Sequence, residues 1–336
     1  MRIFYIAEIT GKAGVWAVKK NIAEIKRRYQ PDFIIANAAM ATGAGGLGKQ
    51  HAGYLRKMGI DCITGGDCIF QKKDLVENLP QMPFVLRPCN LPEHSLGAGY
   101  RYFTARNGEK LVVVSILGRV GRHRLLADNP FTLMQTLLPK IERETRFIAA
   151  DFSSTATAEK QTMAFFLAGR LSVLIGSGTG AAAADERLMS AESGLSAVDS
   201  AAHTDMQQVS PDALLNARAE AAEVCCGQRN GGWQNRKTAY ITDAGRTGSF
   251  DSVGGHAPSG KIREYRTGLF EYPQETWQQV CVQGAAIELD GAGGALSIER
   301  VRIEIPDPML EGLYEKNGKS YTYADNKTER YANCNR

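Results

Sequence analysis

Three short apolar runs, Arg2 to Ala7, Phe33 to Ala36 and Cys62 to Thr64, are separated by stretches with helical periodicity. This alternation confines the first third of the chain to a parallel sheet covered on both faces, because parallel strands need a crossover and the helix that makes it needs a face to bury. Val15 to Tyr29 carries Val15, Val18, Ile22 and Ile25 on one stripe and predicts a helix, Gly11 to Gly14 reads as a turn before it, and a second helix is expected through His51 to Met58. In such sheets function gathers at the carboxyl ends of the strands.

The period changes after Tyr100. Tyr100 to Ala105 and Lys110 to Leu117 flank Arg106-Asn107-Gly108-Glu109, a hairpin signal that adds antiparallel structure. Phe147 to Ala150, Val173 to Ile175 and Ala239 to Thr242 read as further core strands, with a helix over Thr157 to Leu167, and Ala285 to Leu289 with Leu296 to Ile305 form a late hairpin around Gly291 to Gly294. The expectation is one layered α/β domain over residues 1–307, with a mixed central sheet flanked by helices. Residues 190–236 stand out as an Ala-, Ser-, Gln- and Asn-rich insertion whose helix signal starts at Ser210-Pro211, and 308–336 as a polar tail.

Composition removes several partner classes. With 40 Lys plus Arg against 36 Asp plus Glu, the net charge of +4 leaves no dedicated nucleic-acid surface, and no apolar run is long enough for a membrane span. Seven unevenly spread cysteines without a C-x-x-C spacing argue against a disulfide framework or a zinc ribbon, so a reduced, cytoplasmic protein is expected.

Local motifs are weak. Gly43 to Gly48 fits G-x-G-x-x-G, but Asn37 to Thr42 separate it from its strand, which favours a loop over a dinucleotide site. Gly176 to Gly180 directly follows a strand and could cradle an anion with backbone N–H groups, though it lacks a P-loop lysine. His51, His94, His123, His203 and His256 never place two imidazoles on one helix face; His51 reads as a helix-surface residue and His94, His123 and His256 as loop residues. Cys68, beyond Gly65 at a strand end, is a nucleophile candidate without a neighbouring histidine, so an inert thiol is the stronger reading.

Longer-range motifs carry more. Arg2-Ile3 and Gly11-Lys12 on either side of position 8, Pro31 to Asn37, Ile63-Thr64-x-Gly66 with Lys72-Lys73, Leu86-Arg87-Pro88-x-Asn90, Gly118-Arg119-Val120, Asp151-Phe152 with Ala156-Thr157-x-Glu159-Lys160, Gly169-Arg170, Ala184 to Arg187, and Thr238 to Asp243 with Gly245, Thr247 and Gly248 occur in order. Together they resemble the bacterial branch of calcineurin-like metallophosphoesterases that includes 2′,3′-cyclic-nucleotide phosphodiesterases. The resemblance runs from Met1 to about Ile305 and skips the insertion and the tail.

The resemblance implies a layered metallophosphoesterase-like fold and two metal ions, typically iron, manganese or zinc. They would be held by an Asp after the first strand, a Glu-Asn pair after the second, an Asn-His pair after the third, a His after Asp-Phe, and a His-x-His pair. Here those positions are Glu8, Ala39 and Met40, Asp67 and Cys68, Ser153, and Gly178 and Gly180. Ala39, Met40, Gly178 and Gly180 offer no hard side-chain ligand, and Cys68 is a poor proton donor to a leaving alkoxide.

The chain is therefore expected to be a non-catalytic relative of the phosphodiesterases, a binding or scaffold protein without a metal cofactor. Carboxylates left without metal should repel one another and have raised pKa values. Ser153, Ser154, Ser177 and Thr179 are candidate contacts to a small neutral or anionic ligand, while Arg87, Pro88, Asn90, Asp243 and Gly245 serve the fold. The alternative is a phosphoric diester hydrolase with one metal rebuilt on Glu8, Asp67 and Cys68, or one using the Cys68 thiolate. Family likeness points to a homo-oligomer, and 190–236 to a protein partner.

Overall fold

A computed structural model of the chain describes residues 1–43, 45–121, 125–191, 236–305, 314–316 and 319–321. In order, β1 (Arg2–Ile6) and β2 (Glu8–Ile9) lead to α1 (Gly11–Tyr29), β3 (Phe33–Asn37), α2 (Lys49–Lys57), β4 (Cys62–Thr64), α3 (Lys73–Val76) and β5 (Val85–Leu86). Then come β6 (Tyr100–Thr104), β7 (Lys110–Leu117), α4 (Pro130–Glu142), β8 (Phe147–Ser153), α5 (Thr157–Leu167), β9 (Val173–Ser177) and β10 (Arg187–Ser190). The described chain continues with β11 (Lys237–Ile241), β12 (Arg246–Ser249), α6 (Pro258–Thr267), β13 (Val280–Leu289), β14 (Ala295–Glu304), β15 (Tyr314–Lys316) and β16 (Lys319–Tyr321).

The mixed sheet expected from the sequence is divided in two. One has the order β2-β12-β13-β1-β3-β4-β5 with β14 on β13, and the other β10-β11-β9-β8-β7-β6. Strands β1, β3, β4 and β5 run parallel, as do β7, β8, β9 and β11. Antiparallel β13 closes on β1 with Ile3 opposite Ile287, and β6 closes on β7 with Tyr100 opposite Val114.

The period-two alternation explains the layering. Ile3 and Tyr5 of β1 and Phe33 and Ile35 of β3 share a core with Leu111, Val113, Phe147, Ala149, Val173 and Ile175 of the second sheet. Phe4, Ile6, Ile34 and Ala36 face the other way, onto Val15, Val18 and Ile25 of α1 and Ala52 and Leu55 of α2. On the far side, Val112, Val114, Ile148 and Leu174 pack against Met134, Leu138 and Ile141 of α4 and Met163 and Leu167 of α5. The inner strands β1, β3, β7, β8 and β9 are buried on both faces, which is why they read as continuous apolar runs.

Boundaries differ where tertiary contacts decide them. The turn expected at Gly11 to Gly14 is the first turn of α1: Gly11 takes φ +60, and Gly14 packs so close that a Cβ would stand 2.5 Å from the Thr247 carbonyl. The helix closes on Gln30 in the left-handed region, with Lys26, Arg27 and Arg28 against its negative end. Helix α4, absent from the sequence reading, is announced by Asn129, whose side chain accepts from Phe131 N at 2.9 Å, and by Pro130 at the first position. The late hairpin begins five residues earlier than expected because β13 also pairs with β12.

Most of the 190–236 insertion, with its helix signal, lies outside the described residues, as does the tail apart from the β15–β16 hairpin. His123 and His203 lie outside them too. Among the described residues no helix is long and apolar enough to cross a membrane.

Candidate functional site

The carboxyl ends of β1, β3, β4, β8 and β9 converge, and the eight positions singled out in the sequence lie there. Glu8 begins β2, Ala39 and Met40 follow β3, Asp67 and Cys68 lie on the turn Gly66–Cys68 after β4, Ser153 ends β8, and Gly178 and Gly180 follow β9. A Cβ on Gly66 would stand 3.2 Å from Ser153 Oγ and 3.4 Å from Ala39 Cβ; one on Gly178 would stand 3.1 Å from Ser153 Oγ. One on Gly180 would stand 3.5 Å from Glu8 Oε1 and 3.4 Å from Arg246 Nη1.

Beneath this surface lies a frame of buried polar groups. Asp151, on β8 and fully enclosed, accepts from Ser177 Oγ at 2.6 Å, from Asn37 Nδ2 at 3.1 Å and from Thr64 Oγ1. Burial raises its pKa, and the hydroxyl and amide donors hold it down in part. Asn37 also donates to Ser177 Oγ at 3.2 Å and accepts from Ala39 N at 3.0 Å, so it stitches β3 to β8 and β9. Asp243, after β11, is paired with Lys160 Nζ of α5 at 2.7 Å and accepts from Thr179 N, Thr179 Oγ1 and Gly245 N. A buried ion pair with its remaining lone pairs satisfied fixes geometry more than it adds stability.

The four candidate ligand hydroxyls divide. Ser177 donates to Asp151, Thr179 to Asp243, and Ser154 to Glu159 Oε2 at 2.6 Å, so their protons are engaged by the frame. Ser153 Oγ, on a residue only 5% exposed, makes no hydrogen bond to a described residue and borders the glycines.

Glu8 and Arg246 are the charged pair of the cleft. Burial first, then Asp243, pushes the Glu8 carboxyl up to about 7, with Asp67 and Asp151 adding to the rise and Arg246 opposing it. Burial, more than repulsion between carboxylates, thus leads the rise at Glu8. Arg246 is half-buried, anchored by Nη2 on Ser252 Oγ at 3.2 Å, and its pKa is lowered by burial and raised by Glu8. Its Nη1 and Nε make no hydrogen bond to a described residue. The sequence reading missed Arg246; its signal was a cation between Gly245 and Thr247, inside the Asp243 motif.

Cys68 turns to sulfur and amide neighbours: its Sγ lies 3.9 Å from Met40 Sδ and accepts from Gln71 Nε2 at 3.0 Å. Among the described residues no group of three or more His, Cys, Asp or Glu side chains is arranged to hold a metal ion, so Glu8, Asp67 and Cys68 do not come together as a ligand triple.

The two glycine loops differ in use. Gly43 to Gly48 closes on itself through Thr42 N to Gly46 O and Gly46 N to Ala39 O, and the first amide of α2 donates to Asp74 Oδ2 at 2.9 Å. A carboxylate of the chain thus occupies the helix end a pyrophosphate would need. His51, expected on the surface, is half-buried and hydrogen-bonded to Thr42 Oγ1 at 2.7 Å, and burial lowers its pKa. His256, expected in a loop, is 8% exposed with Nδ1 unpartnered among the described residues.

A family model described as YmdB-like protein matches residues 4–199 and 233–301. Over 304 residues the chain is 28% identical to a 2′,3′-cyclic-nucleotide 2′-phosphodiesterase of Bacillus subtilis, a match covering 90% of this chain and 97% of that protein. It is 26% identical over 315 residues to a putative phosphatase/phosphodiesterase of Mycoplasma pneumoniae, covering 92% and 95% of the two chains. A crystal structure described as a novel phosphatase from Mycoplasma pneumoniae is similar with a TM-score of 0.71 at 25% identity, over 92% of this chain and 95% of that one. A hypothetical protein from Thermus thermophilus shares the fold with a TM-score of 0.70 at 24% identity, over 91% and 100%.

Proposed function

This chain belongs to the YmdB-like protein family, with relatives that are phosphodiesterases and phosphatases, and on that premise we propose that it is a member without phosphodiester chemistry that acts by binding. The observation that carries the reading is the composition of the cleft: at the strand ends Glu8 faces an arginine across a glycine, and no three metal-ligating side chains come together among the described residues. Two-metal catalysis uses bridging ligands to fix cations that polarise the phosphoryl oxygen and generate hydroxide. Glu8, Ala39, Met40, Asp67, Cys68, Ser153, Gly178 and Gly180 do not fit such a centre, since they supply two carboxylates, one thiol and no imidazole. Arg246 contributes a cation there, but a guanidinium cannot lower the pKa of a bound water as a metal ion does.

The ligand this cleft suits is a small neutral or anionic molecule held without metal. Arg246 Nη1 and Nε and Ser153 Oγ are the donors free to meet it, and backbone at Gly178 and Gly180 leaves the room. The same reading takes the protein as cytoplasmic, self-associating, and holding a protein partner through 190–236.

The test is hydrolysis of 2′,3′-cyclic nucleotides by the full chain supplied with iron, manganese or zinc, beside calorimetric titration of the same nucleotides in chelator. The expected result is no turnover above buffer. Turnover that chelator abolishes would overturn the proposal.

A second reading, a working phosphodiesterase with a rebuilt site, is favoured by the activity of the Bacillus subtilis relative. It would rest on Glu8, Asp67 and Cys68. Cys68→Ala tests both its forms at once: an activity that survives this change uses neither the thiolate nor a Cys68–metal bond.

A further inference from the structure

The start of α6 has donors and no acceptor. Ala257, which precedes it, has no side-chain oxygen, Pro258 has no N–H, and the first turn holds no acidic residue. Ser259 N and Gly260 N make no hydrogen bond to a described residue. At this end a ten-residue helix presents the positive pole of its dipole, and unmet N–H groups are what an anion there satisfies.

A second, independent group lies beside them. His256, one residue before Ala257, is 8% exposed and held in place by backbone bonds to Val253 and, through Ala257 N at 2.8 Å, to Gln274. Neither ring nitrogen is hydrogen-bonded to a described residue, and only Nδ1 is sealed from solvent. Burial lowers the ring's pKa, with Glu275 opposing, so the imidazole is neutral at pH 7. A proton on Nδ1 would be a buried donor without an acceptor, which assigns the proton to Nε2. The ring and the first turn of α6 line one open pocket of about 330 Å³, together with Lys261, Arg263 and Glu271. Glu275 is not part of its wall; a Cβ on Gly11 of α1 would stand 3.0 Å from Glu275 Oε1.

Charge decides the class of ligand. Lys261 is paired with Glu264 at 2.8 Å, and Arg263 holds both oxygens of Glu271 at 3.0 and 3.2 Å. The side-chain charges therefore balance, and the donors left over are neutral N–H groups. A dianion would be set against Glu271, whereas a carboxylate brings a single charge and two oxygens with lone pairs enough for three N–H donors. The chain makes this kind of contact itself at α2, where Asp74 Oδ2 accepts from Lys49 N at 2.9 Å.

We propose that the pocket at the start of α6 is a carboxylate-binding site, with Ser259 N, Gly260 N and His256 Nε2 as its donors. The carboxylate is that of a small organic acid or of a peptide C-terminus, which present the same group. The pocket shares no residue with the strand-end cleft, so the proposal stands independently of what the cleft binds.

The test is an NMR titration of the isotope-labelled full chain with sodium acetate at pH 7, against sodium chloride at equal ionic strength. Wild type is compared with His256→Phe and Ser259→Asp. The aspartate places the chain's own carboxylate in the first turn, where it favours the helix, so this variant keeps the fold and fills the site. Wild-type Ser259 and Gly260 amide shifts are expected to saturate with a Kd on the order of 1–10 mM, ordinary for so small a ligand. The Gly260 response should weaken about 10-fold in His256→Phe and vanish in Ser259→Asp. Trialanine should reproduce the shifts and its C-terminal amide should not; trialanine binding tighter than acetate identifies a peptide end as the source, and weaker binding a small acid. Shifts that fail to saturate, that chloride matches, or that persist in Ser259→Asp overturn the proposal. So does inorganic phosphate binding the same amides more tightly than acetate.

Discussion

Lys160→Met is the perturbation whose cost the structure fixes most tightly. The Lys160 and Asp243 side chains are 1% and 3% exposed, and Asp243 Oδ2 takes Lys160 Nζ at 2.7 Å together with Thr179 Oγ1 at 2.6 Å and Thr179 N at 3.1 Å. Methionine keeps the stem that packs along Gly176, where a Cβ would stand 2.9 Å from Lys160 Cδ, and removes only the charge. A carboxylate is then left buried with three neutral donors and no cation. Breaking a buried pair from one side costs about 3–5 kcal/mol, which at roughly 2 °C per kcal/mol for a domain of this size lowers the thermal midpoint by about 6–10 °C. Asp243→Asn should cost a similar amount, because it strands the lysine. The double variant should recover most of the loss, since neither charge then remains. Urea unfolding of the four proteins at pH 7 gives the coupling directly. Single variants losing under about 1 kcal/mol, or two losses that simply add, would refute the argument that the pair acts as a unit holding the Thr179 loop.

Glu8→Gln tests the electrostatics of the cleft. A folded pKa of about 7 against an ordinary 4.5 means the fold favours the protonated acid, so that contribution is full below pH 4.5 and is lost as pH rises through 7. The glutamine variant should gain on the wild type across that window by about 2 kcal/mol, allowing for partial exposure; a pH-independent difference in urea midpoints would contradict it. Asn37→Ala removes donors to Asp151 and Ser177 and the acceptor for Ala39 N, and should cost about 2–3 kcal/mol by the same assay. Gly176→Ala would set a Cβ 1.9 Å from the Thr242 carbonyl between β9 and β11, and is expected to yield little folded protein, read as soluble yield and near-UV circular dichroism.

Much of the frame was legible because local and tertiary signals agree there. The buried runs at Phe33 and Phe147, the Asn107-Gly108 hairpin with Gly108 at φ +85, and helix α5 at Thr157–Leu167 stand where the sequence puts them. The convergence of Glu8, Ser153, Gly178 and Gly180 followed from strand-end placement, which sequence order and a parallel sheet already imply. Other features depended on partners far along the chain. The first turn of α1 looked like a loop because its glycines carry little helix propensity; what selects them is the positive φ of Gly11 and the close approach of Thr247 to Gly14. Lys160 shares its stripe with Met163, Ala164 and Leu167, and a lysine in that company signals a buried pair, but only the fold identifies Asp243 as its partner. Arg246 likewise reads as a loop cation until Gly180 sets it beside Glu8.

The proposal stands or falls on whether the cleft of this YmdB-like protein holds metal. The most direct measurement is metal content by inductively coupled plasma mass spectrometry, on untagged full-length protein purified without chelator and offered iron, manganese and zinc. Substoichiometric content of all three is expected. One or more ions held per chain, surviving gel filtration and lost on Glu8→Gln, would contradict it.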